Sequence, residues 1–262
     1  MLPDSLLQHP YRIRPGETID LNERATDDKS LFPVDKSDGK ALLKRLHGPL
    51  DELQTRLYAE GKHRLLVVIQ AMDTGGKDGT IRSVFAPMDP QGIRVASFKK
   101  PSAAELSRDY LHRIHLQVPR DGECVIFNRS HYEDIVAVRV REIYSETVWR
   151  KRYRHIINFE EMLHDEGTTI VKIFLNISLD EQRERLQARL DEPEKNWKFN
   201  PGDLDDRALW SDFMEAYSDV ISRTTSESAP WYVIPADRKW YRNLVVTQII
   251  NETLTSLDMQ YP

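Results

Sequence analysis

The chain has 262 residues, 40% hydrophobic and 30% charged, with a formal net charge of −5 at pH 7. That length suits one large α/β domain, or at most two small ones, and can bury a core without disulfides or structural metal. The composition excludes a disordered chain, no stretch approaches the roughly 18 apolar residues of a membrane span, and the acidic balance argues against a general nucleic-acid binder. The single cysteine, Cys124, cannot close an intrachain disulfide, and Met1-Leu2-Pro3-Asp4 shows no basic segment ahead of an apolar run. No signal peptide is expected, and the expected compartment is the cytoplasm.

Residues 1–36 hold few periodic signals and several turn formers, including Pro10, Pro15, Gly16 and Pro33. They read as an arm that packs over the domain or reaches a neighbouring subunit, with the domain proper over 37–262. Leu42, Leu43, Leu46, Leu50, Leu53 and Leu57 recur at helical spacing and predict a helix over 37–60. Ser37 or Asp38 would cap it and Gly61 would end it. The solid apolar run 65–69 predicts a strand buried on both faces of a parallel sheet. Similar runs follow at 93–98, 124–127, 170–175 and 231–234. Helical patterns lie between and after them, at 81–85, 103–117, 134–143, 145–164, 179–190, 205–222 and 238–257. This alternation predicts an α/β fold: a doubly wound, five-stranded parallel sheet with helices on both faces.

Directly after the first strand stands Ala71-Met72-Asp73-Thr74-Gly75-Gly76-Lys77-Asp78-Gly79-Thr80, leading into a helix. Gly75, Gly76 and Gly79 let backbone N–H groups curl round a phosphate, and the next helix turns its positive end to the same anion. Lys77 reaches phosphoryl oxygens, and Asp78 and Thr80, which follow it, are further candidate phosphate-binding residues. Strand, glycine-rich turn and helix are the context of a P-loop. Two positions depart from the general consensus: Ala71 replaces its first glycine, and Asp78 replaces the Ser/Thr that holds Mg²⁺. A carboxylate beside bound phosphate calls for a bridging cation, which makes Asp73 a candidate metal ligand; an Asx-turn or cap acceptor is its simpler role.

The strand at 124–127 runs into Asn128-Arg129-Ser130-His131-Tyr132-Glu133-Asp134. Ligands of open α/β sheets sit at the carboxyl ends of strands, so these residues face the loop. Arg129 suits phosphoryl oxygens and transition-state charge. Asn128, Glu133 and Asp134 are candidates for metal, its water shell or the acceptor, while Asp134 also suits a helix cap. Residues 183–207 read as a lid. Arg183, Arg185 and Arg189 lie close together and are followed by Glu194-Lys195-Asn196-Trp197-Lys198, a polar, proline-flanked stretch of the kind that closes over phosphates and excludes water. A second basic run, Trp149-Arg150-Lys151-Arg152-Tyr153-Arg154, suits either an anion or a solvated helix face.

Together the three motifs resemble the polyphosphate kinase 2 family, over roughly Ser37 to the C-terminus and in the same order. The resemblance implies a three-layer P-loop kinase fold related to thymidylate kinase, with a helical lid. Asp73 and Asp78 in the loop belong to the family's own version of the motif. The resemblance further implies that Lys77 binds the phosphate chain, that Asp73 organises Mg²⁺ (Mn²⁺ being the other candidate ion) and the acceptor, and that Arg129 is the arginine of the second motif. Many members carry Asp at the position of Asn128 and Asn at that of Glu133. This sequence instead resembles the class III subgroup, in which Glu at the position of Glu133 accompanies use of both nucleoside monophosphates and diphosphates. The implied reaction charges AMP to ADP and ADP to ATP from polyphosphate, with adenine or guanine nucleotides as partners. Polyphosphate would lie along Lys77, Arg129, Arg183, Lys195 and Lys198. A homo-oligomer, dimer or tetramer, is implied, and neither nucleic acid nor membrane is an expected partner. The rival readings are an ATP-dependent nucleoside monophosphate kinase, which the replacement of Ser/Thr by Asp78 disfavours, and a non-catalytic nucleotide- or polyphosphate-binding protein.

Overall fold

A computed structural model describes residues 3–262. Five parallel strands form one sheet: β1 (Arg64–Ala71), β2 (Ile93–Ser97), β3 (Cys124–Asn128), β4 (Thr168–Asn176) and β5 (Trp231–Pro235). Their order across the sheet is β2-β3-β1-β4-β5. β1 is the central strand, with Val68 beside Phe127 of β3 and Lys172 of β4. Its side chains alternate between faces, so the unbroken apolar run feeds two cores. Leu66 and Val68 join Phe127, Ile156, Phe159 and Val220 on one face. Leu65, Val67 and Ile69 join Leu57, Ile126 and Ile249 on the other.

The helices are α1 (Asp4–Leu7), α2 (Lys36–Glu60), α3 (Lys77–Val84), α4 (Ala103–Leu106), α5 (His112–His115), α6 (Glu133–Val140), α7 (Glu146–Asp165), α8 (Leu179–Asp191), α9 (Gly202–Ala208), α10 (Trp210–Thr224) and α11 (Lys239–Thr255). α6, α7 and α10 cover the first face, while α2, α3 and α11 cover the second. No helix among the described residues is long and apolar enough to cross a membrane.

Three expected boundaries are corrected. The cap of α2 is Asp35, whose side chain accepts the Asp38 N–H at 2.9 Å. Asp38 therefore supplies the third N–H of the helix, and neither it nor Ser37 is the cap. Gly61 does end α2, in a left-handed conformation with φ 63°. The helix expected over 103–117 is two single turns. The Asp109 side chain accepts from the N–H groups of Leu111 and His112, both at 3.0 Å, which closes a local turn in place of a continuous helix. The helix expected over 205–222 is likewise two, α9 and α10, separated at Leu209.

The first two residues of the arm lie outside the described residues. The rest packs on the chain's own β5 edge. Ile13 N–H donates to the Trp231 carbonyl and Val233 N–H to the Tyr11 carbonyl, each at 2.9 Å. Leu6, Ile13 and Leu21 are buried there. Further along, Tyr11 and Tyr241 share a hydroxyl contact at 2.6 Å, and Thr26 donates to Asp237 at 2.7 Å. The arm thus braces the turn from β5 into α11.

Under the first face lies a buried ionic cluster. Lys172 of β4 donates to Glu160 of α7 and to the Thr224 carbonyl, both at 2.6 Å, and to the Tyr132 hydroxyl at 2.9 Å. Glu160 also accepts from Tyr132 at 2.7 Å and faces His131 at 3.2 Å. Burial would raise the Glu160 carboxyl, but Lys172 and then His131 outweigh it and hold the group ionised below its ordinary value. Breaking such a pair leaves a buried charge uncompensated. Lys172→Met should cost about 3–5 kcal/mol in urea unfolding, and adding Glu160→Leu should restore most of it. A single variant as stable as the parent would show that the pair is not a structural tie.

Candidate active site

The turn after β1 is shaped by close contacts. Gly75 N–H donates to the Met72 carbonyl at 2.9 Å, and a Cβ on Gly75 would stand 2.5 Å from that of Ala71. Thr74 and Gly76 take positive φ, 61° and 99°, which turns the chain tightly into α3. Lys77 opens α3, buried, and its ammonium folds back to donate to the carbonyls of Ala71 at 3.0 Å and Met72 at 3.4 Å. Burial, and then Arg129, pull its pKa down, against the opposing charge of Asp73.

The end of β3 brings the second motif to this loop. Arg129 also has φ 61°, its N–H held by the Ile69 carbonyl at 3.1 Å. Its guanidinium donates to Asp73 at 2.7 Å. Burial would raise the Asp73 carboxyl, but Lys77 and Arg129 more than offset it and keep the group ionised. Asn128 donates to Asp78 at 2.7 Å, which ties the second motif to the first turn of α3.

Two cavities meet at Asp73 and Arg129. The large one, about 770 Å³, is lined by the loop 73–79, by Asn128, by Arg185, Arg189, Lys195 and Lys198, and by Lys239 and Arg242 of α11. The small one, about 30 Å³, is lined by Glu133, Arg141, Asp206, Phe213 and Tyr217 together with Asp73 and Arg129. Glu133 thus faces the loop from the small side. Asp206 receives both of its bonds from Arg141, at 2.6 Å. Burial, and then the neighbouring Asp73 carboxylate, push the Asp206 carboxyl up to about 6.

Two expected phosphate-binding residues are not where the sequence puts them. Arg183 points to solvent, its side chain 67% exposed and paired with Asp180 at 3.3 Å, and it does not line the cavity. α8 turns Arg185 and Arg189 inward instead. Arg185 donates to the Thr74 carbonyl at 3.1 Å, and Arg189 donates to Asp203 at 2.5 Å. Thr80 is fully buried, with its hydroxyl on the Gly76 carbonyl at 3.2 Å, so it serves the helix backbone. Gly75, Gly76, Asp78, Gly79, Asn128, Lys195 and Lys198 do line the large cavity. The basic run 149–154 lies elsewhere: Arg150 pairs with Glu146, and Arg152 lies 3.5 Å from Asp134.

Sequence reading missed Asp203, Asp206, Arg141, Lys239 and Arg242. A signal for two of them was present. Lys239 and Arg242 sit three apart just after a strand, where ligand-facing residues of open sheets gather. Asp203 and Asp206 have the same spacing on α9 but adjoin no strand.

Asp73 is a hard oxygen donor at the mouth of a phosphate loop. Mg²⁺ takes one or two such carboxylates and completes its shell from phosphates and water, so this donor set fits it. Asn128 is engaged by Asp78, and Glu133 lies on the far side of Arg129.

Known proteins resemble this chain over most of its length. The family profile described as polyphosphate kinase 2 matches residues 33–262. A Meiothermus ruber protein named AMP/ADP-polyphosphate phosphotransferase is 58% identical over 252 residues, covering 96% of this chain and 94% of that one. A Rhodopseudomonas palustris ADP-polyphosphate phosphotransferase is 45% identical, covering 96% and 91%. The crystal structure of polyphosphate kinase 2 from Arthrobacter aurescens TC1 superposes with a TM-score of 0.91 at 44% identity, covering 96% of this chain and 91% of that one. The chain belongs to the polyphosphate kinase 2 family.

Proposed function

We propose that this enzyme transfers phosphoryl groups between inorganic polyphosphate and nucleotides, taking AMP to ADP and ADP to ATP. The observation that carries the reading is the Asp73–Arg129 pair at the junction of two cavities. The large cavity, lined by Lys77, Arg185, Arg189, Lys195 and Lys198, suits a multiply charged chain. The small one, with Glu133 and Arg141, suits the acceptor phosphate. Donor and acceptor would then meet where Asp73 and Arg129 face both.

The attacking group is a nucleotide phosphate oxygen, already anionic, so no strong base is required. It forms a bond to the terminal phosphorus of the chain while the bridging P–O bond breaks, and the shortened chain leaves with the electron pair. Arg129 neutralises charge on the phosphoryl oxygens, and Lys77 exchanges the loop carbonyls for the donor. The chain's contribution is placement and charge neutralisation. Asp73 would hold Mg²⁺, which supplies further neutralisation of phosphoryl charge. Residues 183–207, pinned by the Arg189–Asp203 pair, act as the lid that excludes water. A cytoplasmic homo-oligomer, dimer or tetramer, and acceptance of guanine as well as adenine nucleotides complete the proposal.

With long-chain polyphosphate, Mg²⁺ and AMP, and with no ATP, chromatography should show ADP and then ATP, and EDTA should abolish both. Phosphorylation of AMP only when ATP is supplied would make the protein an ordinary nucleotide kinase. Lys77→Ala should lower transfer by about 10²–10³-fold or more with the circular dichroism unchanged. Arg129→Lys keeps the charge but loses the planar fork, and should lower kcat by at least about tenfold. Parental turnover by either variant would remove that residue from the reaction.

A further inference from the structure

Four arginines line the large cavity. Three have a carboxylate: Arg129 has Asp73, Arg185 has Glu181 and Arg189 has Asp203. Arg242 has none among the described residues. It is 2% exposed. Its Nε and Nη2 donate only to the neighbouring Asn243 side chain, at 3.0 and 2.8 Å. Its Nη1 is buried without an acceptor.

The position of that orphaned nitrogen is specific. A Cβ built on Gly76 would stand 2.1 Å from Arg242 Nη1 and 3.4 Å from Arg185 Nη1. Two guanidinium groups therefore crowd the same glycine of the phosphate loop. Burial, and then the charge of Arg185, draw Arg242 down to about 9. It remains a cation at neutral pH, held where it is poorly solvated. A fold that keeps such a group uncompensated lowers its own stability, and an anion would relieve that cost. Lys239, one turn earlier on α11, lines the same cavity and is exposed. Neither residue borders the small acceptor-side cavity.

We propose that Arg242, with Arg185 and Lys239, forms a second phosphoryl subsite on the α11 side of the loop, which binds a non-reacting phosphate of the donor chain. The inference rests on the polyphosphate-donor reading. It makes donor affinity depend on chain length, because only a chain long enough to pass the reacting position occupies the second subsite. The absence of a side chain at Gly76 is what lets Arg242 reach the loop.

The test is Arg242→Gln in the full chain, measured for unliganded Tm and, by calorimetry, for affinity to AMP, sodium tripolyphosphate and long-chain polyphosphate. The expected result is a Tm raised by a few degrees, since an uncompensated buried charge is gone. Long-chain affinity should fall about 10–100-fold, the loss expected for hydrogen bonds to a charged group. Tripolyphosphate should lose less, and AMP affinity should hold. Lys239→Gln should lose long-chain affinity in the same direction by a smaller factor. A lowered Tm with parental long-chain affinity would make Arg242 a packing residue and overturn the subsite. An equal loss for AMP and both donors would also overturn it. If Arg242→Gln does not fold, Arg242→Lys, which keeps the charge and loses the fork, decides the matter by the same affinities. A parent that binds long chains through Arg242 yet never phosphorylates AMP sinks the transfer reading and leaves the subsite standing. A parent active on AMP, beside parental long-chain affinity in the variant, does the reverse.

Discussion

Positive charge is concentrated on one short loop, and the rest of the site follows from how the fold tolerates it. Lys77, Arg129, Arg185 and Arg242 all reach residues 71–79 or the space above them. Asp73 is a carboxylate placed among them, and it is held ionised by Lys77 and Arg129 despite burial. Backbone carbonyls absorb much of the remainder: those of Ala71 and Met72 take Lys77, and those of Thr74 and Ala236 take Arg185. Each of these contacts is weaker than a bond to phosphate. On the proposed reading, a phosphoryl chain would displace them and find the donors already in position.

That preorganisation needs a rigid base, which the buried layer beneath the second motif supplies. Arg129 sits at φ 61°, a conformation unfavourable for a residue with a side chain. The residues after it are locked from below. Ser130 accepts from Gln70 at 3.2 Å, His131 faces Glu160, and Tyr132 lies between Glu160 and Lys172. The strained backbone thus persists because its neighbours are tied to β4 and α7. The same logic holds at α11, where contacts from the arm to Asp237 and Tyr241 steady the helix that carries Lys239 and Arg242.

How much of this was legible depended on whether the signal was local. The strands were legible because burial on both faces leaves apolar runs with no polar interruption, as from Leu65 to Ile69 and from Cys124 to Phe127. The loop was legible because glycines at 75 and 76 answer a backbone need that can be read from spacing alone. The second motif was legible because it follows a strand. Arg183 was misplaced for a different reason. Sequence puts three arginines within seven residues of α8, but only helical phase decides which of them face the loop, and Arg185 and Arg189, four apart, share that face. Asp206 left no trace in the sequence, since only the fold brings α9 to the small cavity that it lines with Asp73, 133 positions away along the chain.

Asp73 lines both cavities and shares the small one with Asp206. Asp206, its carboxyl pushed up to about 6 by burial and then by the neighbouring Asp73, holds a proton more readily than Asp73 does. Asp206 belongs to α9, within the segment that Arg189 and Asp203 hold in place, and Arg141 anchors it from α6's end. Asp73 therefore lines the large cavity together with Asp203 and the small one together with Asp206, so these two carboxylates of α9 border the space around the loop carboxylate from the two sides.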